Sequence, residues 1–269
     1  MSTPIALTIA GSDSGGGAGI QADLKAFSAL GAYGASVITA ITAQNTRAVT
    51  AVQEIDTDVI AAQIDAVLSD LNVAAIKIGM LSSPDIITTV AAGLKTFSGP
   101  IVLDPVMIAK SGDALLRDEA VSALISDLLP LATLLTPNLP EAARLLNAAP
   151  ATDNATMQAQ GQALLALGPD AVLMKGGHAD GATCTDYLIT DTAPIALTAE
   201  RINTKNTHGT GCTLSSSITA GLAKGMELEQ ATRAAHTYLH NAILAADTLT
   251  IGSGHGPVHH FHAQWSANG

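Results

Sequence analysis

The sequence predicts an α/β fold in which a mostly parallel central sheet is sandwiched between helices. Three observations lead there. Short β-rich runs alternate with amphipathic stretches of helical spacing, and the runs end on Gly, Pro or Asp. Of the 269 residues, 48% are hydrophobic and only 13% charged, enough apolar material for a large core. No linker, repeat or low-complexity tract interrupts residues 1–269, which read as one domain.

The strands follow in order. IALTIA (5–10), SVITAIT (36–42), AAIKIG (74–79), PIVLDP (100–105), ATLLTP (132–137) and AVLMKGG (171–177) are short, rich in β-branched residues and bounded by turn formers. Between them DVIAAQIDAVLSDL and PDIITTVAAGLKTF carry apolar side chains at helical spacing, which makes the intervening connections crossovers and the sheet parallel. TDYLIT and PIALTA follow each other with no helix between, so a hairpin or antiparallel edge is expected there. TLSSSITAGLAKG then reads as a helix.

Composition excludes several classes. A formal charge of −11 with only 12 Lys and Arg argues against sequence-independent nucleic-acid binding, whose affinity comes from cations neutralising phosphates. No apolar stretch approaches the roughly 20 residues of a membrane span. Two cysteines do not make a disulfide framework, and MSTPIALTIAGSD lacks the basic flank and long apolar core of a secretory leader. A soluble protein of a reducing compartment is expected.

In open α/β sheets ligands bind beyond the carboxyl ends of the strands, and the unusual residues gather there. GSDSGGGAGIQADL follows the first run, AQNT the second, GML the third, DPVMIAKSGD the fourth, TPNLPEA the fifth and KGGH the sixth. There is no G-x-x-x-x-G-K-[ST], and neither glycine cluster gives G-x-G-x-x-G between a strand and a helix. Phosphate handling therefore needs another device. Gly209, Thr210 and Gly211 supply one: they turn into a helix, whose first N–H groups and dipole favour an anion.

TIAGSDSGGGAGIQADLK, ITAQNT, DPVMIAKSGD, TPNLPEA, KGGH, NTHGTGCTLSSSI and GHGPVHHFH, in this order over essentially the whole chain, resemble the bacterial hydroxymethylpyrimidine/phosphomethylpyrimidine kinases of the ribokinase-like superfamily. The resemblance implies a three-layer α/β/α domain that uses MgATP to phosphorylate the pyrimidine precursor of thiamine twice. The hydroxymethyl group is phosphorylated first, then the resulting phosphate. It also implies a cytoplasmic homodimer.

Residue chemistry agrees with those roles. Phosphoryl transfer asks for positioning and positive charge around the moving group, so Lys175, directly after a buried strand in MKGGH, is the expected phosphate contact. Asn138 and Glu141 stand three apart at a helix start and match the superfamily's N-x-x-E motif, which holds Mg²⁺ through water. Asp104, closing IVLDP, is the second carboxylate expected on the metal side. On the acceptor side, Gln44 offers a carbonyl and an amide side by side, matching an aminopyrimidine's amine and adjacent ring nitrogen. Asp23 is expected to bond the substrate hydroxymethyl or ring, Met80 to wall it, and Gly11 at the head of the glycine loop to lie against it.

Cys212 closes the Gly-Thr-Gly turn. The wider superfamily usually has an Asp there that accepts the substrate hydroxyl proton, whereas this sequence has Cys, as the pyrimidine-kinase branch does. A helix N-terminus lowers a thiol's pKa, which would let Cys212 accept that proton. A neutral thiol would also not repel the phosphate monoester that enters second, as a carboxylate would. Cys184, among strand-like neighbours, reads as a buried inert thiol. His255, His259, His260 and His262 lack supporting carboxylates and read as a tail folded over the body rather than a metal site.

Three other readings compete. Pyridoxal also carries a ring hydroxymethyl group, so a pyridoxal or pyridoxine kinase is the nearest; kinases of that kind often place a second cysteine where this chain has Ala109. Cys212 could be an acyl-transfer nucleophile with His208 as base, but no third orienting residue is evident. A ligand sensor of the same fold would not need to keep Lys175, Asn138, Glu141 and the whole GTGC turn.

Overall fold

A computed structural model describes residues 3–107, 118–177 and 181–265. Among the described residues nine strands share one sheet: β1 (Ile5–Asp13), β2 (Tyr33–Gln44), β3 (Val49–Glu54), β4 (Ala75–Ile78), β5 (Ile101–Leu103), β6 (Leu134–Leu135), β7 (Val172–Met174), β8 (Thr183–Ile189) and β9 (Ile195–Glu200). Their order is β3-β2-β1-β4-β5-β6-β7-β8-β9. From β2 to β7 every pairing is parallel. The two edges are antiparallel, with β3 against β2 and the expected β8–β9 hairpin against β7. β3 was not expected, because its residues are largely exposed and present no apolar face that would distinguish a strand from a loop.

Helices α1 (Gly19–Ala29), α7 (Thr210–Ala223) and α8 (Leu228–Leu244) pack on one face. Helices α2 (Thr57–Asp70), α3 (Pro84–Leu94), α4 (Asp118–Ala123), α5 (Leu139–Leu145) and α6 (Asn154–Leu165) lie on the other. Strand alternation feeds both cores. Leu7, Ile9, Ile76, Ile78, Leu103 and Leu135 join the larger cluster under α2 to α6, while Ala6, Ala75, Val102, Leu134 and Leu173 face α1, α7 and α8. β4 to β7 are buried on both faces, which is why they read as unbroken apolar runs.

Lys77 is the exception in that pattern, a fully buried lysine in the middle of β4 on the α1/α7 side. Its Nζ donates to both oxygens of Asp23 on α1, at 2.8 and 3.0 Å. Asp23 also accepts from Thr8 Oγ1 (2.6 Å) and Ser216 Oγ (2.5 Å). The structure thus corrects the expectation for Asp23: its carboxylate is 0% exposed and neutralises Lys77 inside the protein instead of facing a substrate.

β1 and β2 run on past the body of the sheet, and their register shifts between Ala10 and Ser12, around Gly11. This extension carries the first glycine loop over the sheet's carboxyl edge. The C-terminal segment folds back as expected. His208 N–H donates to the Gly256 carbonyl, His255 N–H to that of Thr46 and His259 N–H to that of Ala242. Tyr238 Oη donates to the His260 carbonyl. Among the described residues no helix is long and apolar enough to cross a membrane.

Candidate active site

A cleft of about 420 Å³ opens at the carboxyl ends of the strands. It brings together Gly11, Gln44, Met80, Asp104, Asn138, Glu141, Lys175 and the turn Gly209, Thr210, Gly211 and Cys212. Of the expected site residues only Asp23 is absent from its lining. Ala109 and the His178 of KGGH lie outside the described residues.

One end is built from β1, β2 and the residues after β4. Met80 is buried with its Cε against Gly11, where an added Cβ would come within 2.6 Å of it and push the thioether end aside. Gln44 ends β2, and its amide lies 3.2 Å from Thr42 Oγ1 and 3.3 Å from His208 Nε2. That His208 contact was not foreseen, nor was the 2.9 Å contact between His208 Nε2 and Asp13 Oδ2. Asp13 further accepts N–H groups from Gly15, Gly17 and Ala18. Burial opposes its charge, yet His208 and these N–H groups hold its carboxyl below the usual range.

The other end is the start of α7. Gly209 caps the helix with φ +77, a conformation open to glycine, and a Cβ there would collide with the Gly17 carbonyl. The Thr210 N–H turns back to the Thr207 carbonyl at 3.4 Å. The free donors of the first turn are therefore centred on Gly211 and Cys212, one step further along than the glycines alone suggest. Gly211 also faces Lys175: a Cβ on it would lie 3.4 Å from Nζ and 3.5 Å from Asp104 Oδ2.

Lys175 holds Asp104 Oδ1 at 2.9 Å and approaches Glu141 Oε2 at 3.9 Å. Burial disfavours the charge on Lys175, but Asp104 and Glu141 outweigh it and raise the lysine's pKa. Asp104 is buried too; Lys175 and Lys77 reverse that cost and keep its carboxyl below the ordinary value. Asn138 and Glu141 form a reciprocal capping box on α5, with the Glu141 N–H on Asn138 Oδ1 (2.9 Å) and the Asn138 N–H on Glu141 Oε2 (2.8 Å). Burial, with Asp104 adding repulsion against the relief from Lys175, pushes Glu141 up to about 7.

Two crowded carboxylates with hard oxygens fit a divalent cation, which would relieve the repulsion that raises Glu141. Among the described residues no three His, Cys, Asp or Glu side chains converge to hold a metal ion. Asp104 and Glu141 are thus two carboxylates that could bind a cation only together with other ligands.

For Cys212 the structure reverses the electrostatic expectation. Burial pushes its thiol up to about 11; Lys77 and the Gly19 N–H pull it down, but Asp23 and Asp104 add to the rise. At neutral pH the thiol keeps its proton. His208 Nε2 is engaged by Asp13 and the Gln44 amide, and among the described residues no hydrogen bond joins its ring to Cys212, as an acyl-transfer pair would need. Cys184 is half-buried, and burial together with Asp186 raises its thiol to about 11.

The family model described as phosphomethylpyrimidine kinase matches residues 13–259. The hydroxymethylpyrimidine/phosphomethylpyrimidine kinase of Rhizobium meliloti is 60% identical over 263 residues, 98% of this chain and 99% of that one. Among solved structures, the ADP complex of Bacillus subtilis pyridoxal kinase is similar with a TM-score of 0.91 at 38% identity, over 98% of this chain and 100% of that one. The phosphomethylpyrimidine kinase of Clostridium difficile is similar with a TM-score of 0.79 at 48% identity, over 89% and 99%.

Proposed function

The chain belongs to the phosphomethylpyrimidine kinase family, and from that premise we propose that it phosphorylates 4-amino-5-hydroxymethyl-2-methylpyrimidine with ATP, first to the monophosphate and then to the diphosphate, in thiamine diphosphate biosynthesis. One observation carries this reading. A single cleft has a paired donor and acceptor, Gln44, at one end and a helix N-terminus with Lys175 at the other. In the first transfer the substrate hydroxyl oxygen attacks the γ-phosphorus, the bond to ADP breaks and the hydroxyl proton is released. In the second, an oxygen of the monophosphate attacks a second ATP and no such proton needs removing.

Gln44 reads the ring, and Met80 and Gly11 wall it. The turn Gly209, Thr210, Gly211 and Cys212 holds the transferring group, with most of the donation from Gly211 and Cys212, while Lys175 stabilises the charge that spreads over its oxygens. Asp104 and Glu141, with Asn138 fixing Glu141, would hold Mg²⁺ through water, and the ion would supply charge neutralisation to the phosphates. Cys212 closes the anion hole without a fixed negative charge, so the monoester enters without repulsion; only the small fraction of its thiol that is deprotonated accepts the alcohol proton. Residues 1–269 act as one ribokinase-like domain, supported by the continuous sheet, in a cytoplasmic homodimer.

The test is ADP release with hydroxymethylpyrimidine, its monophosphate and pyridoxal in parallel. Both pyrimidines should support turnover above pyridoxal. Turnover with pyridoxal alone would overturn the assignment in favour of a pyridoxal kinase.

A further inference from the structure

His208 sits where three parts of the cleft meet. It directly precedes the Gly209 cap of α7, its ring packs on Gly17 of the glycine loop, and its Nε2 lies between Asp13 Oδ2 (2.9 Å) and the Gln44 amide (3.3 Å). A hydrogen count decides how that amide is turned. Asp13 is held by the N–H groups of Gly15, Gly17 and Ala18, and a charged carboxylate only accepts, so the hydrogen on His208 Nε2 points toward it. At the other end of the amide, Thr42 has one hydroxyl hydrogen, and the Ser12 carbonyl at 2.8 Å takes it. Thr42 Oγ1 can then only accept from Gln44.

With Nε2 toward His208 and Oε1 toward Thr42, the amide would face a donor with a donor and an acceptor with an acceptor. A half turn about its last torsion exchanges nitrogen and oxygen in the same space. In that orientation Oε1 is the weaker second acceptor, at 3.3 Å, of the one His208 Nε2–H that Asp13 takes at 2.9 Å, and Nε2 donates to Thr42 Oγ1, so neither contact sets like against like. One oxygen lone pair and one N–H remain for a ligand.

We propose that His208, oriented by Asp13, is a positioning residue that with Thr42 locks the Gln44 amide in this orientation, so that the cleft selects a ring presenting an amine donor beside a ring-nitrogen acceptor and rejects the reverse pattern. The inference rests on Gln44 reading the substrate ring, as proposed above. The amine lies on the His208 side and the ring nitrogen on the Thr42 side. The 4-oxo analogue, with a carbonyl acceptor beside a ring N–H donor, meets the locked amide acceptor to acceptor and donor to donor. A site built for one hydrogen-bond pattern rejects its inverse strongly, because buried polar groups are left unpaired.

The experiment measures kcat/KM for 4-amino-5-hydroxymethyl-2-methylpyrimidine and its 4-oxo analogue in the wild type, His208→Leu, His208→Gln and Thr42→Val. The wild type should prefer the amine. Without the His208 donor only Thr42 still orients the amide, so in His208→Leu the amino-to-oxo ratio should fall by about tenfold, chiefly because the oxo analogue gains. His208→Gln places an amide N–H near the same point and should keep the ratio. Thr42→Val removes the lock from the other end and should lower the ratio too, which keeps the test decisive if His208→Leu does not fold. Equal losses for both analogues in the folded variants, leaving the ratio at its wild-type value, would show that His208 and Thr42 merely support the loop and would overturn this inference alone. A wild type inactive on the aminopyrimidine would overturn the proposed function, and this inference with it.

Discussion

Replacing Asp23 with Asn removes the carboxylate that neutralises Lys77 and leaves an ammonium group buried among β1, β4, α1 and α7. Both side chains are 0% exposed and Nζ lies 2.8 Å from Oδ2. At that distance, with an effective dielectric constant near 20, the attraction is about 6 kcal/mol, much of it offset by the cost of burying both ions. Removing one partner leaves that burial cost uncompensated, so the Asn variant should lose about 3–5 kcal/mol of stability. Thr8 and Ser216 lose charge-assisted bonds at the same time. Replacing the pair together, Asp23→Leu with Lys77→Met, should recover at least about half of the loss, since no charge is then stranded. Urea denaturation followed by far-ultraviolet circular dichroism measures these differences, and the KM for the pyrimidine, taken well below the melting temperature, should change little in Asp23→Asn. An Asn variant that keeps its denaturation midpoint yet loses pyrimidine affinity would refute the buried-pair assignment and restore Asp23 to the substrate.

Lys175→Ala should lower turnover by roughly 10²–10³ while changing ATP affinity far less, because its charge counts most against the transition state; equal wild-type kcat in stopped-flow assays would remove it from the transfer step. With its thiol near 11, Cys212 must lose its own proton before it can take the alcohol's, so the rate of the first transfer should climb as pH rises toward that value. Single-turnover pH profiles of Cys212→Ala should be flat for the first transfer and little changed for the monoester, and equal losses for both acceptors would leave Cys212 only a turn-shaping role. His260 donates to stability in the opposite sense: burial first, then Lys25, His259 and His262, depress its pKa to about 3 from 6.5. Between those values the unfolded chain binds the extra proton, so stability is present above about 6.5 and is lost as pH falls below it. Denaturation midpoints at pH 7 and pH 5 should differ less in His260→Asn than in the wild type; an identical pH dependence would exclude His260 as a source of acid lability.

Alternating strand and helix periods, the turn formers after each strand, and the GTGC start of α7 are local properties, and the sequence by itself determined the parallel sheet, the position of the cleft and the meeting of Gln44, Lys175 and the GTGC turn at its edge. Periodicity says that a residue lies on a helix or strand; it does not say what stands opposite. Asp23 reads as a substrate contact until α1 is laid against β4, where Lys77, 54 residues away, faces it. The lysine inside AIKI was the available signal, since an ammonium group in a strand buried on both faces must find an anion. His208 and Asp13 lie 195 residues apart and meet only because the glycine loop and the α7 cap are folded onto each other. Titration behaviour was equally out of reach. A helix N-terminus favours a thiolate, but the fold half-buries Cys212 near Asp23 and Asp104, and desolvation together with these carboxylates raises its thiol instead. Burial and long-range charge are set by packing across the sheet, so only the tertiary structure could decide them.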